Sequence, residues 1–226
     1  MYQMPLSVRT VFFDIDGTLL NHRLAADKAI IRLAKVYCPT RSNDESISLW
    51  NALEQEYFHQ FEQGIMGFQE QRRVRLSTFF GEGSMADEDL DRIQDEYLAF
   101  YRDNWSPFPD AIPALERCRR AGLRVAVISN GDHVQQLDKL HRIHAGVPDE
   151  FVFSSEALGY SKPDQRAFTS ACEQMSSSPK NSFMIGDDAI NDYVGARSAG
   201  LNAVLIQRQG GRTKDGITSL DDIAFE

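Results

Sequence analysis

Cysteine, long apolar runs and basic charge are all scarce in this 226-residue sequence, and each shortage excludes a class of protein. The three cysteines, Cys38, Cys118 and Cys172, are widely spaced and form no Cys-x-x-Cys pair, so neither a disulfide framework nor a thiolate zinc site is expected. No apolar run reaches membrane-spanning length, and the N-terminus lacks the pattern of a secretory signal peptide. The sequence therefore predicts a cytoplasmic protein with reduced thiols and no membrane partner.

The charge balance is acidic. The 24 lysines and arginines face 33 aspartates and glutamates, which gives a formal net charge of -9. A nucleic acid would meet repulsion on average, so no nucleic-acid partner is expected, and nothing in the sequence indicates a protein partner. A small phosphate compound stays compatible with this charge, because one magnesium ion and one lysine can reverse the field locally.

Short runs rich in β-branched and aromatic residues predict the strands of a sheet. Most of them lack polar alternation, which is typical of parallel strands buried on both faces. Helix-length segments separate the later runs, and this alternation predicts an open, doubly wound α/β sheet. The predicted strands are residues 8–13, 123–128, 150–153, 182–185 and 201–206, and the predicted helices are residues 110–121, 133–144, 165–175 and 188–199.

A helical block interrupts this alternation directly after the first strand. Residues 20–104 contain no convincing strand, and apolar residues recur at every fourth position from Leu49 to Phe61. A capping box formed by Ser42 and Glu45 precedes them. The block therefore predicts a helical insertion into the α/β sheet.

The segment after the helical block is rich in proline. Two prolines between residues 104 and 110 predict the return to the sheet, because proline restricts its own backbone and that of the preceding residue.

Arg72, Arg73 and Arg75 are interpreted as a solvated helix face, because adjacent helix positions do not face one way. The alternative is that one of them reaches an anionic group of a ligand.

Two carboxylates, Asp14 and Asp16, follow the first predicted strand. In open α/β folds ligands bind at this carboxyl edge of the sheet. The motif alone is weak evidence, because a turn capped by Thr18 would have the same sequence.

Three later segments place polar residues at the same edge. Ser129 and Asn130 close the second core strand, Lys162 follows the third, and Asp187 and Asp192 follow the fourth. Together they supply carboxylates, a hydroxyl and one ammonium group, which suit a hard cation and a phosphoryl group. Magnesium prefers oxygen ligands and commonly takes one or two carboxylates together with a substrate phosphate.

These motifs, Asp14-x-Asp16-Gly-Thr, Ser129-Asn130, Lys162 and Gly-Asp187-x-x-x-x-Asp192, resemble in order the four motifs of the haloacid dehalogenase superfamily. The resemblance implies a Rossmann-like doubly wound parallel sheet with a small α-helical cap. The core would comprise residues 1–19 and 105–226, and the cap residues 20–104. By the same resemblance, Mg²⁺ is held by the carboxylates of Asp14 and Asp187 and by the backbone carbonyl of Asp16, with Asp192 nearby. The dehalogenases of the family lack the second aspartate, so Asp16 indicates a phosphatase.

The hypothesis that follows is a phosphomonoesterase of small phosphorylated metabolites, with a mononucleotide or a sugar phosphate as the expected ester. Asp14 is the expected nucleophile and Asp16 the expected acid and base, while Lys162, Ser129 and Asn130 stabilise the transferring phosphoryl oxygens. Two alternatives stay open. One is a phosphomutase of the β-phosphoglucomutase type, and the other is a phosphate-binding regulatory protein without turnover.

Overall fold

The structure, a computed structural model, describes residues 2–81, 85–209 and 216–225. The chain divides into two compact units. One unit comprises Met1–His22 and Trp105–Glu226, and the other comprises Arg23–Asn104. The first contains the sheet and is called the core unit below, and the second is called the helical unit.

The core unit contains a parallel sheet that has six strands among the described residues. The strands of the chain are β1 Tyr2–Gln3, β2 Thr10–Phe13, β3 Arg124–Ser129, β4 Val152–Ser154, β5 Ser182–Gly186, β6 Asn202–Ile206, β7 Gly216–Ile217 and β8 Ile223–Ala224. The order of the sheet is β4-β3-β2-β5-β6-β7. The chain enters at β2, moves outward through β3 to β4, and then returns to the other side of β2 for β5, β6 and β7. This is a doubly wound parallel sheet, and the predicted fold class is confirmed. A small parallel pair of strands, β1 and β8, lies outside this sheet.

The central strand β2 is buried along its whole length. Its sequence, Thr-Val-Phe-Phe, combines β-branched and aromatic residues, which fit a pleated surface covered on both faces. Phe12 packs with Ile128, Phe168 and Met184 in one apolar cluster. Burial of each such side chain stabilises the fold by roughly 1.5–3 kcal/mol.

Among its described residues the core unit also contains five α-helices, and a glycine lies at the end of two of its helical segments. Gly122 and Gly200 each follow the C-cap residue of a helical segment and have φ angles of 75° and 87°, which is the left-handed region that glycine adopts without strain. The helices are α5 Ala111–Arg120, α6 His133–Arg142, α7 Ser155–Leu158, α8 Gln165–Gln174 and α9 Gly195–Ser198.

The helix predicted over residues 188–199 is only partly α-helical. Ala189–Val194 form a π-helical turn, and α9 begins after it. The cause is local: the Asp188 side chain accepts hydrogen bonds from the backbone N–H groups of Ile190 and Asn191, and the Asp188 carbonyl accepts one from Tyr193 five residues on. Such widened turns are frequent at functional sites.

The helical unit consists of helices packed around Trp50. The centre of its ring lies 5.5 Å from the ring centre of Phe79 and 4.7 Å from that of Tyr97. The Trp50 Nε1 also donates a hydrogen bond to the Tyr97 hydroxyl at 3.1 Å. The Ser42–Glu45 capping box at the start of the second helix is confirmed. In the described part of the chain, no helix is both long and apolar enough to cross a membrane. The helices are α1 His22–Tyr37, which begins one residue before this unit, α2 Asn43–Glu62, α3 Phe68–Phe80 and α4 Asp87–Asp103.

The interpretation of the arginine cluster as a solvated face is wrong for Arg75. Only 6% of this residue is exposed, because its guanidinium lies over the Trp50 ring and pairs with Glu54 at 2.9 Å. Arg73 instead pairs with Asp87 and Asp91 at the surface. The sequence positions of Arg73 and Arg75 in their helix could not show which of them is buried, because the residues that cover Arg75 belong to α2.

The segments that lead out of the core unit and back into it are paired with each other. The Asn21 N–H donates to the Ser106 carbonyl at 3.0 Å, and the Phe108 N–H donates to the Leu19 carbonyl at 2.9 Å. Leu20 forms an antiparallel bridge to Pro107, within the segment that the two prolines predicted as the return. The insertion therefore begins and ends at the turn that carries Asp16.

Asp110, directly before α5, ties the C-terminal segment to the sheet. Its Oδ2 accepts hydrogen bonds from Arg208 at 2.6 Å, the Ser219 hydroxyl at 2.6 Å and the Leu220 N–H at 2.8 Å. Burial opposes ionisation of Asp110, but the hydrogen bonds from Arg208 and Ser219 outweigh it and lower the pKa below its ordinary value. The carboxylate therefore stabilises the folded state.

We expect Asp110→Asn to lower the free energy of unfolding by about 2 kcal/mol at pH 7, because a charged acceptor of several buried hydrogen bonds is lost. Because the pKa is lowered on folding, this stabilisation is present above the unfolded pKa of about 4 and is lost as pH falls through the folded value. Urea unfolding between pH 7 and pH 3 measures both effects. Asp221→Asn is the control, since the Arg117–Asp221 pair is exposed and should contribute less than about 1 kcal/mol. An equal loss in both variants would contradict the role of burial.

Candidate active site

The order of the strands places a topological switch point between β2 and β5. Connections leave these neighbours in opposite directions, and ligands bind at such a switch point in open α/β sheets. Phe13 and Ile185 are in register, so Asp14 and Asp187 follow two strands that end side by side. The Asp14 N–H donates to the Ile185 carbonyl at 2.9 Å, which holds the Asp14 backbone against β5.

Three carboxylates meet at this point. Oxygen atoms of Asp14, Asp187 and Asp192 all lie within 4.8 Å of one another. The backbone around them has no room for side chains: a Cβ atom at Gly17 would lie 2.0 Å from Asp187 Oδ2, and one at Gly186 would lie 2.2 Å from Asp192 Cγ. The two glycines are therefore required for the carboxylates to approach the backbone.

Lys162 binds two of these carboxylates. Its Nζ donates to Asp14 Oδ1 at 2.7 Å, to Asp192 Oδ1 at 2.6 Å and to the Ile128 carbonyl at 3.1 Å, and only 4% of the residue is exposed. An ammonium group has three N–H donors, so these bonds use all of them. In this arrangement Lys162 orients Asp14, and its predicted contact with a substrate phosphate stays a prediction.

Burial and mutual repulsion dominate the electrostatics of the cluster. Burial raises the pKa of Asp14 well above its usual range, Lys162 opposes the rise, and Asp192 and Asp187 add to it. Asp187 is exposed as a residue, but the loss of hydration at its carboxyl group, followed by the charge of Asp192, raises its pKa to about 7. If all three carboxylates were ionised, their negative charge would exceed the positive charge of Lys162 by two.

These residues fit a divalent cation. The donor set is made of oxygen atoms, which Mg²⁺ prefers, and includes neither histidine nor cysteine. A cation would remove the repulsion that raises the pKa values of Asp14 and Asp187. Among the described residues, the cluster brings together three of the four predicted metal-site aspartates. The contribution of the fourth, Asp16, through its backbone carbonyl stays a prediction.

The side chain of Asp16 has a different partner. Its Oδ2 accepts a hydrogen bond from Lys139 Nζ at 2.5 Å, and 28% of the side chain is exposed. Burial of the carboxyl group would raise its pKa, but the positive charges of Lys139 and then His22 lower it below the ordinary value. Asp16 is therefore ionised at neutral pH, which is the form that accepts a proton.

Ser129 and Asn130 lie at the same edge of the sheet, and hydrogen bonds to other residues fix both side chains. Ser129 Oγ accepts a hydrogen bond from Gln136 Nε2 at 2.9 Å, which leaves the hydroxyl proton for an anion. The Asn130 side chain donates to the Lys162 carbonyl at 2.9 Å and accepts from the Lys162 N–H at 2.8 Å. Asn130 thus fixes the backbone that carries Lys162, and phosphate binding by its side chain stays a prediction.

Sequence reasoning missed Lys139 and Gln136. Both are polar residues of α6 with at most 3% exposure, and they contact Asp16 and Ser129. One signal was present: the two positions are three residues apart and therefore share a helix face with the apolar Leu140 that follows. Polar residues on an otherwise apolar face indicate a buried partner.

The sequence profile of the haloacid dehalogenase-like hydrolases matches residues 8–200. The chain belongs to this family, as predicted, and is a hydrolase. It is 37% identical over 139 residues to Phosphatase MT3486 of Mycobacterium tuberculosis, an alignment that covers 60% of this chain and 59% of that protein. It is 28% identical over 206 residues to the glyceraldehyde 3-phosphate phosphatase of Methanothermobacter thermautotrophicus, covering 89% and 87%.

A third relative has a different chemistry. The chain is 30% identical over 216 residues to (S)-2-haloacid dehalogenase 4A of Burkholderia cepacia, covering 90% of this chain and 85% of that protein. Among solved structures, the HAD-hydrolase YfnB from Bacillus subtilis has the same fold, with a TM-score of 0.79 at 22% identity over 95% of this chain and 96% of that chain. The fold is therefore shared with proteins whose substrates differ.

We expect Lys162→Met to lower the free energy of unfolding by about 3 kcal/mol at pH 7 in EDTA, because two buried carboxylates lose their partner. This loss of unfolding free energy should shrink as pH falls, because protonation removes the unpaired charge of the carboxylates. A carboxyl group whose pKa is raised on folding destabilises the folded state at high pH, and this effect disappears once the group is protonated in both states. Urea unfolding at pH 5 and pH 7 measures this. Lys180→Met, which removes an exposed lysine from the same unit, is the control. Equal stability of the two variants would contradict the buried ion pairs.

Proposed function

We propose that this hydrolase is a magnesium-dependent phosphomonoesterase that acts on a small phosphorylated metabolite through an aspartyl-phosphate intermediate. The observation that carries the proposal is the position of Asp14, whose carboxylate lies at the switch point between Lys162 and the other carboxylates of the cluster. A second carboxylate, Asp16, is bound by Lys139. The relatives named as phosphatases support this function.

In the first half-reaction, a carboxylate oxygen of Asp14 attacks phosphorus. A P–O bond forms to Asp14, the P–O bond to the leaving group breaks, and the leaving alkoxide takes a proton from Asp16. Lys162 keeps Asp14 oriented for this in-line attack. Because Asp16 is ionised in the free protein, it must gain its proton as the anionic substrate binds.

In the second half-reaction, water attacks the same phosphorus and gives its proton to Asp16. The P–O bond to Asp14 breaks, inorganic phosphate leaves, and Asp16 then gives its proton to solvent, which restores the starting state of both aspartates. The Ser129 hydroxyl supplies a hydrogen bond to the transferring oxygens in both steps, and Gln136 holds it in place.

The metal site of the proposed enzyme consists of Asp14, Asp187 and Asp192, with the backbone carbonyl of Asp16. When bound, Mg²⁺ neutralises charge on the cluster and on the phosphoryl oxygens. Asp192 is also held by Lys162 and by the Asp188 N–H, so it keeps its position at the edge of the cluster.

The helical unit is proposed to be a cap that determines substrate choice. All the catalytic residues named above lie in the core unit, and the insertion leaves and re-enters it beside the turn of Asp16. The triose phosphate relative favours a sugar phosphate over a mononucleotide as the substrate. Release of inorganic phosphate without a bisphosphate activator separates this function from a phosphomutase.

The test of the function is phosphate release with Mg²⁺ from sugar phosphates, mononucleotides and p-nitrophenyl phosphate. We expect Asp14→Asn to lower the rate by at least about 1,000-fold, a change of about 4 kcal/mol in the activation barrier, because an amide is a poor nucleophile. Asp221→Asn makes the same change at an exposed aspartate of the core unit and should keep wild-type activity. Halide release from 2-chloropropionate should be absent. A wild-type protein that releases halide but no phosphate would overturn the proposal.

Magnesium binding is tested separately from turnover. At a concentration 100 times its dissociation constant, Mg²⁺ should stabilise the wild-type protein by about 2.7 kcal/mol, seen as a rise in the unfolding midpoint. Asp187→Asn should lose most of this rise, and Glu150→Gln, at an exposed site, should keep it. EDTA should abolish phosphate release, and Ca²⁺ should restore it poorly because its coordination is larger and looser. Full activity in EDTA would contradict the metal site.

A further inference from the structure

One face of α6 carries two buried polar side chains. Gln136 and Lys139 are 2% and 3% exposed, and the apolar Leu140 beside them is 1% exposed. A lysine is almost never fully buried without a partner, because removing its charge from water is costly. The two side chains therefore need contacts that compensate their burial.

Gln136 contacts the end of β3. Its Nε2 donates to Ser129 Oγ at 2.9 Å and to the Asn130 carbonyl at 3.1 Å. One amide group thus holds the hydroxyl and the backbone of two neighbouring residues. The N-terminal half of α6 is thereby fixed to the loop that follows β3.

Lys139 contacts the turn that follows β2. Its Nζ donates to Asp16 Oδ2 at 2.5 Å and lies 5.9 Å from the centre of the Trp105 ring. The other oxygen, Asp16 Oδ1, is buried and has no hydrogen-bond partner among the described residues. The two oxygens of Asp16 therefore differ: Lys139 binds Oδ2, whereas Oδ1 accepts no hydrogen bond from the described residues.

Stability alone does not account for this pair. Replacing a buried ion pair by apolar side chains of similar volume is often neutral or stabilising. The Lys139–Asp16 pair joins residues separated by 123 positions, and it selects one orientation of a carboxylate two residues from Asp14. The anchoring of one oxygen leaves the other in a defined place.

We propose that Lys139 is a positioning residue for Asp16: by holding Oδ2, it fixes the orientation of the carboxylate that the proposed reaction uses for proton transfer. This inference rests on the proposed phosphomonoesterase function. Gln136 does the same for Ser129, so that α6 orients a proton-transfer group and a hydrogen-bond donor from one face.

The experiment compares Lys139→Met, Lys139→Arg, Asp16→Asn and the double variant Lys139→Met/Asp16→Asn, with p-nitrophenyl phosphate and Mg²⁺. Lys139→Met should lower kcat about 100-fold, as expected when a reacting group is misplaced, with KM and the Mg²⁺ binding midpoint unchanged. Lys139→Arg should recover part of kcat. Arg142→Met removes an exposed cation from the same helix and should leave kcat unchanged.

The double variant separates positioning from a general structural role. If Lys139 acts through Asp16, the double variant should be no slower than Asp16→Asn, because residues that act as a unit are not additive. Multiplied losses would overturn the proposal. Should Lys139→Met fail to fold, Lys139→Arg and the double variant make the same comparison.

A second readout needs no turnover. In EDTA, Lys139→Met should lower the unfolding midpoint, and adding Asp16→Asn should recover part of the loss, because the unpaired carboxylate is gone. Additive losses would overturn the contact itself. Failure of the wild-type protein to hydrolyse any phosphate ester would overturn the proposed function and this inference together, and it would be seen before any variant is used.

Discussion

Repulsion among carboxylates at the carboxyl edge of the sheet is the constraint on which the rest of the structure depends. Asp14, Asp187 and Asp192 meet because β2 and β5 are neighbours that end at the same level. The ammonium group of Lys162 binds two of them, Asp14 and Asp192. The residual charge makes the cluster unfavourable alone and favourable with a cation. At the proposed metal site, stability and cation binding would therefore be coupled.

Two aspartates only two residues apart experience opposite environments. Burial and neighbouring carboxylates raise the pKa of Asp14, whereas Lys139 and His22 lower that of Asp16 despite burial of its carboxyl group. Divergent pKa values of paired carboxylates are the usual sign that they have different chemical tasks. The turn after β2 creates this difference by directing one side chain to Lys162 and the other to α6.

The sheet and most of the cluster could be predicted from the sequence, because each acidic residue follows a buried apolar run and parallel strands end at one edge. The contacts of Lys139 could not be predicted, because its partner is 123 positions away and depends on which face of α6 packs inward. The π-helical turn was missed for a different reason. It depends on hydrogen bonds between the Asp188 side chain and two backbone groups, which periodicity does not report.

Lys162 also connects the ends of three strands by hydrogen bonds. Its three donors reach Ile128 in β3, Asp14 after β2 and Asp192 after β5, and so link the ends of three adjacent strands through one nitrogen atom. A tetrahedral ammonium group can direct its bonds to three acceptors around a point. The planar fork of arginine directs its five N–H groups within one plane, so it cannot reproduce this geometry. The site therefore selects lysine by the shape of its donor group as well as by its charge.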